Sequence, residues 1–102
     1  MVDIKTEPLI NYLVPNLYEK IIVVFGNRTC TACKKVTSVF VPLFELAYDN
    51  ILFYFLDADR FSKTADEFGI EFYPTLVLFE NGVETKRIVS TSITEITNHL
   101  LK

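Results

Sequence analysis

The sequence predicts an α/β fold in which a mixed central β-sheet carries helices on both faces. Two strand-sized runs, residues 21–25 and 51–56, are apolar at every position, as in strands that are buried on both sides. A helical repeat of apolar residues lies between them, and Asn81-Gly82 marks a hairpin further along. Because strands joined by a long helix run parallel and hairpin strands run antiparallel, the sheet should be mixed.

The N-terminal segment predicts one short helix. Thr6 is a candidate N-cap, Pro8 is tolerated in the first turn, and Pro15 would end the helix. The expected apolar side consists of Leu9, Ile10, Leu13 and Val14. Any strand ahead of this helix is confined to residues 2–5, so the first strand is either missing or very short.

The longest predicted helix begins near Val36 and repeats its apolar residues at i, i+3, i+4, i+7, i+8 and i+11. These residues are Val36, Val39, Phe40, Leu43, Phe44 and Ala47. Pro42 lies within the helix, where it lacks an amide hydrogen and crowds the carbonyl of Ser38. We therefore expect a bend there rather than two separate helices.

The hairpin comes after the second strand and a further helix. Residues 75–79 and 83–89 flank Asn81-Gly82, whose tolerance of positive φ favours a two-residue turn. The last two strands should therefore be antiparallel. The predicted order of elements is β, α, β, α, β, β, α.

The two later helices are short. One contains Ala65 and Phe68 and ends at Gly69, a residue type that commonly follows the last turn of a helix. The other begins at a capping box formed by Ser92 and Glu95. Its buried side is expected to consist of Ile93, Ile96 and Leu100.

Length and composition fit one domain, residues 1–102, that buries its own core. The net charge of -3 is mild and its charges are scattered, so we expect no nucleic-acid partner. Residues 1–8 contain no basic segment leading into a long apolar stretch, and the apolar runs are shorter than a membrane span. We expect a monomeric, cytoplasmic protein that does not bind membranes.

Both cysteines of the chain lie in Cys30-Thr31-Ala32-Cys33, between the first strand run and the long helix. A disulfide between such near neighbours closes a very small loop and adds little stability, so this pair favours reversible redox chemistry over structural cross-linking. With Thr29 as N-cap, Cys30 would lie in the first helical turn, where free amides and the helix dipole stabilise its thiolate. Lys34, Lys35 and Arg28 would add positive charge.

These positions predict different chemical roles for the two sulfurs. Cys30 would be the nucleophile that attacks a target disulfide, and Cys33, one turn deeper and less exposed, would resolve the mixed disulfide. The alternatives are a pair without redox activity and half of a metal site. Because His99 is the only histidine and no other thiol is present, we expect no metal within the chain.

An apolar strand, a CxxC pair opening a long helix and a later Phe72-Tyr73-Pro74-Thr75 together resemble the thioredoxin family, over residues 20–102. The resemblance implies the thioredoxin fold and a cis Tyr73–Pro74 bond facing the dithiol. It also implies that Thr29, Tyr73, Pro74 and Ser90 contact substrate, with the backbone of Tyr73 pairing with an extended segment. Without the cysteines, a simple role at the start of the following strand would be the favoured interpretation of Pro74.

The chain departs from the family pattern at the site. Thr29 replaces the usual tryptophan, and Thr31-Ala32 replaces Gly-Pro. Val24 stands where the family buries an aspartate beneath the second cysteine, and Phe55 aligns with the lysine partner of that aspartate. Resolution by Cys33 should therefore be slow at pH 7 and faster toward pH 9. The other replacements are Gly26 for a tryptophan and Ser90 for a glycine.

The leading interpretation is a thiol–disulfide oxidoreductase that reduces protein disulfides and needs no bound cofactor. The resemblance implies electrons from a separate flavoprotein reductase that uses NADPH. The alternative is a binding or adaptor module that holds a partner around Tyr73 and Pro74. A glutathione-dependent enzyme is a third possibility, for which the sequence offers only Arg28, Lys34 and Lys35 near the dithiol.

Overall fold

The computed structural model describes residues 1–13 and 20–102. Within these ranges one five-stranded sheet has the order β1-β3-β2-β4-β5. The strands are β1 (Val2–Asp3), β2 (Lys20–Gly26), β3 (Ile51–Asp57), β4 (Thr75–Glu80) and β5 (Val83–Val89). β3 is parallel to β1 and β2, whereas β4 is antiparallel to β2 and β5. The predicted mixed sheet is confirmed, and its first strand is reduced to two residues.

The α-helices are α1 (Ile10–Leu13), α2 (Thr31–Lys35), α3 (Val41–Ala47), α4 (Ser62–Glu67) and α5 (Ile93–Ile96). A π-helical segment, Val36–Phe40, joins α2 to α3, and a second, Thr97–Leu101, extends α5. Among the described residues, no helix has both the length and the apolar character to cross a membrane.

Strand β2 explains why the sheet is covered on both sides. Its residues from Ile21 to Phe25 are all buried, and alternate side chains enter different cores. Ile22 and Val24 join a core that includes residues of α3, α5 and both π-helical segments. The core on the other face consists of Ile21, Val23 and Phe25 with residues such as Leu9, Leu13, Phe61 and Ala65.

The N-terminal helix begins later than the sequence predicted. Its first residue is Ile10, so Thr6 is not its N-cap, and the Thr6 hydroxyl instead lies 3.1 Å from the Tyr12 hydroxyl. The Thr6 hydroxyl therefore pairs with the Tyr12 hydroxyl instead of capping the helix. Of the expected apolar side, Leu9 and Leu13 are buried and Ile10 is exposed, while Val14, like Pro15, lies outside the described residues.

The buried face of the long helix differs from the prediction after its first turn. Val36, Phe40 and Phe44 are buried as expected, whereas Val39, Leu43 and Ala47 are exposed and Val41 is buried instead. The cause is the π-helical segment, in which the Val41 amide donates to the carbonyl of Val36, five residues back. This wider turn rotates α3 relative to an uninterrupted α-helix. Pro42 lies in the first turn of α3, and the helix continues through it.

The later turns follow the sequence signals. Asn81 and Gly82 have φ values of 53° and 83° between β4 and β5, and Gly69, with φ 66°, follows α4. The Ser92 hydroxyl oxygen accepts the Glu95 amide at 3.2 Å and caps α5. Ile96 and Leu100 are buried, but Ile93, the first residue of α5, is exposed. The expected burial of Ile93 was therefore wrong.

Candidate active site

The loop after β2 sets the position of the dithiol. The Asn27 side-chain oxygen accepts the Thr29 amide at 3.2 Å and the Thr29 hydroxyl at 3.3 Å. The carbonyl of Gly26, the last residue of β2, accepts the Ala58 amide at 2.7 Å. These bonds fix a short turn that leads directly into α2 at the carboxyl end of β2.

Cys30, and not Thr29, is the N-cap of α2. Its sulfur accepts a hydrogen bond from the Cys33 amide at 3.1 Å, and its carbonyl accepts the Lys34 amide at 3.1 Å. The predicted cap was wrong because the Thr29 hydroxyl is engaged with Asn27, so the sulfur takes the capping position. A thiolate there receives an amide hydrogen bond and the field of the helix start, both of which stabilise negative charge.

The two sulfurs differ sharply in their access to solvent. Cys30 is half-buried, whereas Cys33 is only 1% exposed. Burial raises the pKa of the Cys33 thiol to about 11, and its hydrogen bond with the Cys30 side chain acts in the same direction. The expectation that Cys33 is the less exposed cysteine is confirmed.

The Phe55 ring lines the space beside Cys33. Phe55 is the register partner of Val24 across β3 and β2, and both residues are buried. A cavity of about 160 Å³ lies next to Cys33. Its lining residues are Met1, Asp3, Asn27, Arg28, Cys33, Lys34, Thr37 and Phe55.

Arg28 and Lys35, two of the three positive side chains expected near the dithiol, have other partners. The Arg28 guanidinium lies 3.4 Å from the Asp3 carboxylate, 3.7 Å from that of Asp57 and 5.8 Å from the Phe55 ring centroid. Two carboxylates therefore offset its charge. The Lys35 ammonium lies 5.6 Å from the centroid of the Phe40 ring.

Pro74 and Ser90 lie at the same end of the sheet as the loop that carries the dithiol. Thr75 pairs with Phe25 on one side and with Val89 on the other. The next residues, Gly26, Pro74 and Ser90, therefore lie at the same end of three neighbouring strands. The Tyr73–Pro74 peptide bond is cis. The Ser90 hydroxyl donates to Glu95 at 2.8 Å and accepts the Ser92 amide at 3.0 Å, so its side chain helps to begin α5.

Two aromatic side chains project into solvent just before Pro74. Phe72 is 62% exposed and Tyr73 is 37% exposed. The Thr75 hydroxyl donates to the Phe72 carbonyl at 2.6 Å and fixes this turn. Burial raises the pKa of Tyr73, with smaller contributions from nearby charges that include Cys33. Sequence reasoning did not select Phe72, although an aromatic residue preceding Tyr73-Pro74 was a usable signal.

No group of three or more histidine, cysteine, aspartate or glutamate side chains is arranged to hold a metal ion within residues 1–13 and 20–102. The chemistry-bearing groups that the structure brings together are the two sulfurs, the helix start and the end of the sheet at Pro74 and Ser90. Thr29 lies beside them and is exposed.

Comparison with known proteins agrees with this geometry. The thioredoxin family model matches residues 6–102. A thioredoxin of Chlamydia muridarum is 40% identical over 70 residues, covering 68% of this chain and 67% of that protein. Thioredoxin H5 of Arabidopsis thaliana is 31% identical over 88 residues, covering 85% of this chain and 74% of that protein.

The fold is shared as well. The crystal structure of thioredoxin NaTrxh from Nicotiana alata superposes with a TM-score of 0.73 at 30% identity, covering 88% of this chain and 80% of that one. This chain belongs to the thioredoxin family and has the thioredoxin fold. Membership of the family supports thiol–disulfide oxidoreductase activity in general.

Proposed function

We propose that this protein reduces disulfide bonds in other proteins through a dithiol–disulfide cycle of Cys30 and Cys33. The observation that carries the proposal is the asymmetry of the pair at the start of α2. The half-buried Cys30 sulfur receives the Cys33 amide at 3.1 Å, whereas the Cys33 thiol is buried and keeps its proton. One sulfur can meet a large substrate, and the other can react only from inside the protein.

In the first step, the Cys30 thiolate attacks one sulfur of the target disulfide. The target S–S bond breaks, a mixed disulfide with Cys30 forms, and the released target sulfur takes up a proton. In the second step Cys33 loses its proton and attacks the Cys30 sulfur, which releases the second target thiol. Two electrons pass to the target, and the protein is left with a Cys30–Cys33 disulfide.

The exposed aromatic residues beside Pro74 support a docking role. An extended substrate segment would lie against the backbone of Tyr73, as an added strand does, and would contact Thr29 and Ser90 on either side. Exposed apolar groups such as Phe72 lose water on contact, which favours association. Main-chain pairing is largely independent of side-chain identity and would permit several substrates.

The cycle needs a source of electrons to reduce the Cys30–Cys33 disulfide. We assign this role to a separate flavoprotein reductase that uses NADPH, so the chain itself would hold no cofactor. Such a cycle operates in a reducing compartment, which fits a cytoplasmic location. The protein would act as a single-domain monomer.

A turnover assay separates the enzyme from an adaptor. The wild-type protein should catalyse reduction of a protein disulfide by dithiothreitol, and the variant with both Cys30→Ser and Cys33→Ser should lose all catalysis. Thr37→Ser, a small change at the cavity rim outside the dithiol, serves as the control and should retain activity. An adaptor would instead show no turnover in the wild type and would bind its partner equally well in the double variant.

A glutathione-dependent enzyme is less well supported. Recognition of the glutathione carboxylates requires available cations. Arg28, the guanidinium nearest the dithiol loop, is paired with Asp3 and Asp57. Turnover with glutathione as the sole reductant should therefore be much slower than turnover with dithiothreitol.

A further inference from the structure

Gly26, the last residue of β2, leaves a recess that the Cys33 sulfur occupies. A Cβ atom built on Gly26 would lie 2.7 Å from the Cys33 sulfur, 3.2 Å from its Cβ and 3.3 Å from Cε1 of Phe55. The first distance is well below a van der Waals contact, so a Cβ added to this structure would require the Cys33 sulfur to shift. Gly26 is buried in the strand and pairs with Asp57.

The recess matters more to one oxidation state than to the other. In a disulfide the two sulfurs are about 2.05 Å apart, whereas two sulfurs that are not bonded must stay well beyond that distance. Reduction therefore requires the sulfurs to separate. Cys33 is 1% exposed, so its sulfur cannot separate from Cys30 by moving into solvent.

We propose that Gly26 sets the redox potential of the dithiol by providing the space into which the Cys33 sulfur withdraws when the disulfide is reduced. The half-reaction is disulfide plus two electrons and two protons giving two thiols, with glutathione as the reference couple. A side chain that fills the recess would raise the free energy of the dithiol more than that of the disulfide, because the two sulfurs of the disulfide lie closer together. This inference rests on the proposed cycle and names Gly26 as a positioning residue that acts through Cys33.

On the side of β2, an aromatic ring also limits the room for the sulfur. Phe55 lies at 3.3 Å from the same Cβ position, so the added methyl group would meet an aromatic ring as well as the sulfur. Phe55 is itself buried and paired with Val24 in the sheet. A displaced Cys33 sulfur would move away from β2, either toward its hydrogen-bond partner Cys30 or into the cavity that Cys33 lines.

The test is to equilibrate Gly26→Ala and the wild type with glutathione buffers and to measure the dithiol and disulfide fractions by thiol alkylation. We expect the equilibrium constant for disulfide formation to rise about tenfold, which corresponds to a potential about 30 mV more negative. Gly69→Ala is the control. Gly69 has φ 66° and no atom within 4 Å of an added Cβ, so that variant is strained but touches neither sulfur. Its potential should equal that of the wild type.

Equal potentials for Gly26→Ala and the wild type, or a less negative potential in the variant, would overturn the inference. If reduced Gly26→Ala does not fold, adding Cys33→Ala should restore folding because the clashing sulfur is gone, and failure to restore it would also overturn the inference. Turnover of the wild type is measured separately. Turnover with unchanged potentials rejects only the role of Gly26, whereas a potential shift without turnover rejects only the proposed function.

Discussion

Val24 and Phe55 are paired across β2 and β3, and both side chains are buried on the face of the sheet that α3 covers. Phe55 also lines the cavity next to Cys33. The family pattern has an aspartate and a lysine at these two positions, whereas this chain has two hydrocarbon side chains there. Neither side chain can carry a charge that would stabilise the Cys33 thiolate. Burial raises the pKa of Cys33 to about 11.

The pH dependence of resolution follows from this pKa. In the mixed disulfide Cys30 is covalently bound, but burial, the leading cause of the raised pKa, remains. The Cys33 thiolate fraction then rises about tenfold for each pH unit below its pKa, and the rate of resolution should rise with it from pH 7 to pH 9. Rapid-quench measurement of the mixed disulfide tests this. A rate that is constant over this interval would contradict it.

Introducing a carboxylate at position 24, where the family buries an aspartate, should change the rate of resolution and the stability in opposite directions. In Val24→Asp we expect the new group to accept the Cys33 proton, so resolution at pH 7 should speed up at least tenfold. The same change buries an unpaired carboxylate and should lower the free energy of unfolding by roughly 3 kcal/mol or more. Val23→Asp is the matched control because Val23 is equally buried but belongs to the core on the other face. It should cost stability without accelerating resolution.

The stability of the reduced protein should fall at high pH. The pKa of Cys33 is raised in the fold, from an ordinary value of 9.0 to about 11, so the buried thiol favours folding while both states keep the proton. This contribution is complete below pH 9 and is lost as the pH rises toward 11, by on the order of 2 kcal/mol. The measurement is urea unfolding of the reduced protein between pH 8 and pH 11.

Cys33→Ala is the reference for that series because other groups also titrate in this range. The difference in unfolding free energy between the wild type and Cys33→Ala should shrink as the pH rises. A difference that stays constant would show that the folded and unfolded states bind the Cys33 proton equally.

Phe72 should contribute to substrate binding and little to stability. Truncating this 62% exposed side chain in Phe72→Ala removes apolar surface from the turn before Pro74, and kcat/KM for a protein disulfide should fall about three- to tenfold. Val83→Ala is the matched control. Val83 is 65% exposed, but it begins β5 at the end of the sheet opposite to Pro74 and Ser90. Equal effects of the two variants on kcat/KM would argue against docking at Phe72.

The sequence was sufficient for the sheet because β2 and β3 are buried on both faces, which leaves an unmistakable apolar run in each. The long helix was predicted less well. Its periodicity assumed 3.6 residues per turn, and the π-helical segment at Val36–Phe40 changes the turn and exposes Leu43. Local propensity does not reveal such a segment because it depends on how the helix packs.

At the candidate site, too, the sequence predicted some features correctly and others not. The spacing of Cys30 and Cys33 predicted their proximity, but the choice of Cys30 over Thr29 as N-cap depends on a hydrogen bond from Thr29 to Asn27 that sequence does not indicate. The recess at Gly26 could not be predicted either. It requires the distance between a strand residue and a helix residue, which only the packed fold supplies.

The most direct test of the account is to trap the mixed disulfide. Cys33→Ser, incubated with a disulfide-containing protein, should accumulate a covalent adduct through Cys30, seen by non-reducing electrophoresis and located by mass spectrometry. Cys30→Ser should form almost none because its remaining thiol is buried. An absence of adduct with Cys33→Ser, or equal amounts with both variants, would contradict the assignment of Cys30 as nucleophile and Cys33 as resolving cysteine.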